Sequence, residues 1–247
     1  MFPIINYESI FLYNTEKVIY YDNLILILQD GLMKEREFLE FVSAMPVFTT
    51  KHISALIGDE RYTKIYLHRL MKRKLIIKLK RGSYTVHDDP VIYASHIYYP
   101  SYISLLYAFQ YHGTTTQLPK LIEVMTFRTD SIMNIEFIKT GNLWGYQGLR
   151  YLDFRIFIAD LEKAIIDAIV TERVPFDEIQ RAIQGCDIKK LEEYTLRTNH
   201  STIKKVGYVC EVSGHYLKNA FEVVKKDRNY VYFFGAKGKN RWRVKGD

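Results

Sequence analysis

Residues 51–82 carry ten Lys and Arg against two acids, Asp59 and Glu60, a net charge of +8 in a chain whose whole formal charge is +7. Everything outside the window therefore sums to −1. Charge this concentrated limits what the window can fold into, because an unpaired buried cation is strongly unfavourable and each head must reach water or an anion. The window is nevertheless not a polar tail. Apolar residues recur through it at helical and then at strand spacing, so the segment predicts helix, tight turn, helix and a two-stranded ribbon.

Thr49 or Thr50 is an N-cap, since a hydroxyl there accepts a bond from a free backbone N–H of the first turn. Ile53, Leu56 and Ile57 follow at helical spacing, and Gly58 ends the helix where a left-handed residue costs least. A second helix is predicted from about Arg61 to Arg73. Its apolar stripe is Tyr66, Leu67, Leu70 and Met71, so Arg61, Lys64, Ile65, His68 and Lys72 face outward with Arg69 beside them. Ile77 and Leu79 then alternate with Lys78 and Lys80, Arg81-Gly82 makes a turn, and Tyr84 and Val86 return. A solvated face is usually mixed in sign, yet nothing acidic occurs between Arg61 and Tyr84. Cations held on a helix-turn-helix with a basic wing are the footprint of a duplex-DNA binder. The expected contacts are Thr50, Lys51, Arg61, Lys64, His68, Arg69, Lys72, Lys78, Lys80 and Arg81, with Arg61 and Lys64 nearest the base edges.

Charge blocks divide the chain: residues 1–50 sum to −4, 83–200 to −4 and 201–247 to +7. His87-Asp88-Asp89-Pro90 is a polar junction in which Asp89 caps a helix opening at Pro90. The expected division is 1–87, an N-terminal extension plus the winged domain, and 88–247, a mixed α/β domain with antiparallel strands; the whole is α+β. Residues 34–44 make the first helix of the winged domain. The segment before it covers that domain, adds core packing or forms a dimer contact. The longest strongly aliphatic run, Leu24 to Leu28, is far short of a membrane span. No signal-like segment opens the chain, and Cys186 and Cys210 form no CxxC. These features lead to the expectation of a cytoplasmic protein without membrane, metal or cofactor.

In the second part, Val91 to Tyr99 predicts a short helix, and Pro100-Ser101 a second one, with Ser101 as N-cap and Gly113 as its stop. Strands are predicted at 121–127, 133–139 and 151–159, and helices at 160–170, 176–184, 187–197 and 201–213. The glycines of 141–148 do not match a phosphate-binding fingerprint. Residues 230–235 and 241–244 read as a terminal hairpin.

These residues together resemble the AbiEi antitoxins of type IV toxin–antitoxin systems and their stand-alone regulator relatives. The likeness rests on the Arg81-Gly82-Ser83-Tyr84 wing, on Pro100-Ser101-Tyr102 running to Gly113, and on Glu162-Lys163 followed by Asp167. It spans roughly residues 35–245, and the N-terminal extension departs from it. The resemblance implies a protein that binds inverted repeats in its own promoter and represses it, and that counteracts a nucleotidyltransferase-like toxin. That role follows from the resemblance and not from charge or periodicity.

The alternative is a metal-dependent nucleic-acid enzyme, or an RNA-binding module, using the second domain. A nuclease needs carboxylates around a cation with a lysine near the attacking water. Asp153, Asp160, Glu162 and Lys163, or Asp187 with Lys189, supply the residue types. Glu162 and Lys163, however, diverge by about 100° around a helix. The favoured reading has Asp160 capping the helix, Glu162 complementing its positive end and Lys163 pairing with Asp167. His112 at a helix C-terminus is likewise a capping cation. Lys237, Lys239, Arg241, Arg243 and Lys245 recur at every second residue. In a strand they share one face, either as a solubilised edge or as a second nucleic-acid surface.

Overall fold

A computed structural model describes residues 34–246 of the protein. The readings made above for residues 1–33 lie outside them. The N-terminal unit runs α1 (Glu35–Ser43), β1 (Phe48–Thr49), α2 (Thr50–Ile57), α3 (Glu60–Lys72), β2 (Ile77–Lys80) and β3 (Ser83–Thr85). Local chemistry sets each boundary. The Thr49 hydroxyl accepts from the His52 N–H at 3.1 Å and starts α2. Gly58, at φ +80°, ends it. Asp59 opens α3 by accepting from the Tyr62 N–H at 2.9 Å, a cap that the sequence reading did not assign. The strands form a small antiparallel sheet in the order β1-β3-β2, with Phe48 opposite Tyr84 and Tyr84 opposite Lys78. Phe38, Val42, Phe48, Ile53, Leu67, Leu70 and Ile76 close one apolar cluster beneath it. Phe38 stands edge-on to both Phe48 and Tyr66, a favoured aromatic geometry.

The second unit is built on a mixed six-stranded sheet. Its elements are α4 (Pro90–Ala94), β4 (Ser101–Ile103), α5 (Leu105–Tyr111), β5 (Ile122–Thr126), β6 (Asp130–Ile132), β7 (Ile135–Lys139), β8 (Tyr146–Tyr151) and β9 (Phe154–Ala159). The strand order is β6-β7-β5-β4-β9-β8. The expected antiparallel strands are present in three pairings, and the β5–β7 and β4–β9 neighbours are parallel besides, so the sheet is mixed. Five helices follow: α6 (Leu161–Thr171), α7 (Phe176–Gln184), α8 (Ile188–Leu196), α9 (His200–Val212) and α10 (Lys218–Val224). Of these, α10 was not foreseen. A short parallel pair, β10 (Val231–Tyr232) with β11 (Val244–Lys245), ends the described chain.

Three expectations are corrected. Ser101 does not cap a helix. It begins the central strand β4, and its hydroxyl is engaged by the Ser95 and Tyr98 carbonyls at 3.0 and 2.6 Å. Ser101, Tyr102 and Ile103 are all buried, and a strand covered on both faces loses the alternation that would reveal it. The terminal hairpin is also absent. Trp242 is buried, with its Nε1–H donating to Glu211 at 2.6 Å and its ring lying where a side chain at Gly207 would stand. Arg243, at φ +55°, breaks the extended run. Finally, Asp160 occupies the N-cap position of α6 without a side-chain capping bond. Its carboxylate instead accepts from the Tyr194 hydroxyl at 2.8 Å and pairs with Lys190 at 3.3 Å.

The two units meet through specific contacts at 77–89. Leu79 of β2 is buried in the larger apolar cluster, and Val47 and Ile77 pack against it. His87 Nε2 lies 3.0 Å from the Met45 carbonyl oxygen, and its ring stands edge-on to Phe154 at 4.6 Å. Asp89 caps α4 through the Val91 N–H at 3.0 Å and accepts from the Tyr151 hydroxyl at 2.8 Å. Among the described residues, no helix is long and apolar enough to cross a membrane.

Candidate nucleic-acid interface

Thr63, Leu67 and Leu70 anchor α3 in the N-terminal core. This orientation leaves Arg61, Lys64, Ile65, His68, Arg69 and Lys72 exposed along the opposite side. Among the described residues, only Lys64 on that side has an ion-pair partner, Glu60 at 2.5 Å one turn back. Both side chains are more than half exposed, so the pair contributes little stability and yields easily to a stronger anion. The start of α2 lies against the tip of the β2–β3 hairpin, because the Thr50 N–H donates to the Gly82 carbonyl at 2.9 Å. Gly82 adopts φ +74°, and a side chain there would contact the Thr50 hydroxyl. Thr50 and Lys51 are thereby held beside Arg81. Lys51, Lys78 and Arg81 are all exposed.

Lys80 points elsewhere. Its Nζ donates to the Ile97 carbonyl at 2.7 Å and lies 3.7 Å from the centre of the Tyr98 ring. Burial, and secondarily the nearby Arg128, hold its pKa below the ordinary lysine value, while Asp130 opposes the shift. The alternation of β2 could not show this, since a β-bulge shifts the register between Lys78 and Lys80. The same site contains residues that the sequence reading did not single out. Arg128 sits over the same ring, 4.9 Å from the Tyr98 centre. The Tyr98 hydroxyl donates to Asp130, which lowers the Asp130 pKa. An isolated arginine in a loop carries no sequence signal that would find it.

The five C-terminal cations do not share a face. Arg241 pairs with Glu211 at 3.0 Å and stacks over Tyr216, while Arg243 donates to the Asp227 carbonyl at 2.8 Å. Lys237 and Lys239 precede β11 in an irregular stretch, and Lys245 lies within β11.

The carboxylates weighed above as metal ligands have protein partners, and so does Asp167. Lys163 and Asp167 form a fully buried ion pair within α6. Asp167 also accepts from the Ser104 hydroxyl at 2.9 Å and the Tyr102 hydroxyl at 3.1 Å. Burial raises the Asp167 pKa, and Lys163 and the two hydroxyls oppose that shift. The same burial, reinforced by the Asp167 charge, pushes Tyr102 well above the usual phenol value. Glu162 leaves the helix in another direction, accepting from the Asp187 N–H and pairing with Lys190, both at 3.0 Å. Asp187 caps α8, and Asp153 pairs with Arg150 on the surface. The glycine-rich loop closes over Lys163. Gly145 takes φ +72°, and a side chain there would meet Lys163 and Tyr194 at 3.0–3.1 Å. His112 Nε2 lies 2.9 Å from the Ala159 carbonyl oxygen. Among the described residues, no group of three or more His, Cys, Asp or Glu side chains is placed to hold a metal ion.

The chain is thus a mixed α+β protein, with an exposed cationic helix in one unit and a buried polar network in the other. No family model matches it, and no curated protein matches it. Among solved structures it is similar to the crystal structure of the RV2827C protein from Mycobacterium tuberculosis. The TM-score is 0.55 at 11% identity, over 84% of this chain and 89% of that one. At that identity the likeness bears on the fold alone.

Proposed function

We propose that residues 34–87 form a winged helix-turn-helix that binds duplex DNA, with α3 as the recognition helix and the β2–β3 hairpin as the wing. The protein is then a sequence-specific transcriptional regulator that acts in the cytoplasm on its own promoter. The observation that carries this reading is the exposed cationic stripe Arg61, Lys64, His68, Arg69 and Lys72, broken only by Ile65, on a helix whose opposite side is locked in the core. Exposed cations at this density supply the phosphate contacts that dominate affinity, and the N-terminal turn of such a helix faces base edges. The resemblance to AbiEi antitoxins supports the more specific form: an autorepressing antitoxin that binds inverted repeats as a dimer and counteracts a nucleotidyltransferase-like toxin through residues 88–247.

Purified full-length protein, titrated onto the duplex upstream of its own reading frame and onto a shuffled duplex of equal length, tests the regulator. Preference for the upstream duplex is expected, and equal or absent binding overturns it. Co-expression with a neighbouring nucleotidyltransferase-like protein tests the antitoxin form: growth is expected to be restored, and unrelieved toxicity would leave a regulator alone.

A further inference from the structure

Arg128 belongs to the second unit, in the loop between β5 and β6, yet it shares an aromatic ring with a residue of β2. Lys80 and Arg128 both rest on Tyr98. Their heads therefore lie closer together than the ~10 Å screening length of 0.1 M salt. Asp130 is the acid facing them, and it is already engaged by the Tyr98 hydroxyl. Two cations beside one carboxylate leave a local excess of positive charge. The lowered Lys80 pKa has Arg128 among its causes, as expected for like charges held together. Lys80 is tied to the Ile97 carbonyl, while Arg128 is exposed. Of the two cations, the Arg128 guanidinium is therefore the one open to an approaching anion.

We infer that Arg128 is a DNA-phosphate contact supplied by the second unit, extending the interface past the hairpin onto the flanking duplex. This rests on the DNA-binding reading above. Lys80 and Tyr98 are positioning residues: the ring and its second cation fix the guanidinium beside β2 and raise the local positive potential. A phosphate contact positions the protein without reading sequence, so Arg128 adds affinity equally to upstream and shuffled duplexes.

The test uses full-length wild type, R128A, R128K and the α3 variant R61A/K64A/K72A, on both duplexes across a salt series. R128A is expected to weaken binding to both duplexes by similar factors and to lower the salt slope by about one unit. R128K should retain most of the slope, and hydroxyl-radical footprints of R128A should lose protection at one edge of the site. Its melting temperature should match wild type, because the guanidinium is exposed. If R128A keeps the wild-type slope and footprint while the α3 variant is impaired, this inference fails and the DNA-binding reading stands. If wild type binds neither duplex, both fail. Loss confined to the upstream duplex would also overturn the inference, because it would make Arg128 a reader of sequence or groove shape.

Discussion

Replacing Lys163 with Met should reveal how much of the second unit's stability rests on its buried ion pair. Lys163 is 0% exposed and Asp167 3%. Met preserves the length of the side chain and its apolar contact with Trp144 and Tyr102, whose ring centres lie 5.2 and 5.3 Å from the Lys163 head. It leaves Asp167 with two hydroxyl donors and no counter-charge. Removing one member of a buried pair costs about 3–5 kcal/mol, a large share of the roughly 5–15 kcal/mol that holds a native protein together. Urea denaturation followed by circular dichroism at pH 7 should therefore show a loss of that size. The double variant K163M/D167L should recover part of it, because an apolar pair of similar volume leaves no unpaired charge. The deficit should also depend on pH. Burial already raises the Asp167 pKa, and loss of Lys163 removes the largest influence opposing it. The folded variant then binds its proton more firmly than the unfolded chain, so its stability is fullest below the ordinary carboxylate range and falls as pH rises. The deficit should be smaller at pH 5 than at pH 8. A loss under about 1 kcal/mol at pH 7, the ordinary effect of a point substitution, would refute this reasoning.

Burial raises the Glu123 pKa to about 7 despite the opposing Arg173. Wild-type stability should therefore decline between pH 5 and pH 8 more steeply than that of E123Q, and parallel pH profiles from denaturant midpoints would contradict the assignment. Gly145→Ala should lose about 1–2 kcal/mol for its left-handed backbone alone, and more for the approach of Lys163 and Tyr194; an unchanged melting temperature would show that the loop readjusts freely. At the hairpin, K80A should cost about 1–3 kcal/mol of stability through the lost bond to the Ile97 carbonyl. R81A, which truncates an exposed side chain, should leave stability unchanged and lower the DNA salt slope by about one unit.

The helices of the N-terminal unit were legible because each has one buried side and one wet side. Ile53, Leu67 and Leu70 mark the helical period, and Thr49 and Gly58 mark the ends of α2. The Lys163–Asp167 pair was legible for the same reason, since a four-residue spacing on a helix fixes the partner. Legibility fails where both sides are covered or where a distant residue decides. Ser101, Tyr102 and Ile103 are all buried, so helix and strand look alike there. Trp242 abolishes the terminal hairpin because the ring packs at Gly207 and donates to Glu211, neither of which is near it in sequence. The turning of Lys80 toward Tyr98 depends on a one-residue bulge in β2, and the partnership of Lys80 with Arg128 joins residues from different units. In the candidate interface the identity of the cations was readable, but which of them stay free was not.

The most direct measurement is the affinity of R61A/K64A/K72A for the upstream duplex at one fixed salt concentration, with its circular dichroism and melting temperature beside those of wild type. All three side chains are exposed, and the core of α3 is untouched by their truncation. A folded variant whose dissociation constant rises at least about tenfold, with a shallower salt slope, is the expected result. A folded variant that binds as tightly as wild type would contradict the assignment of α3 as the recognition helix.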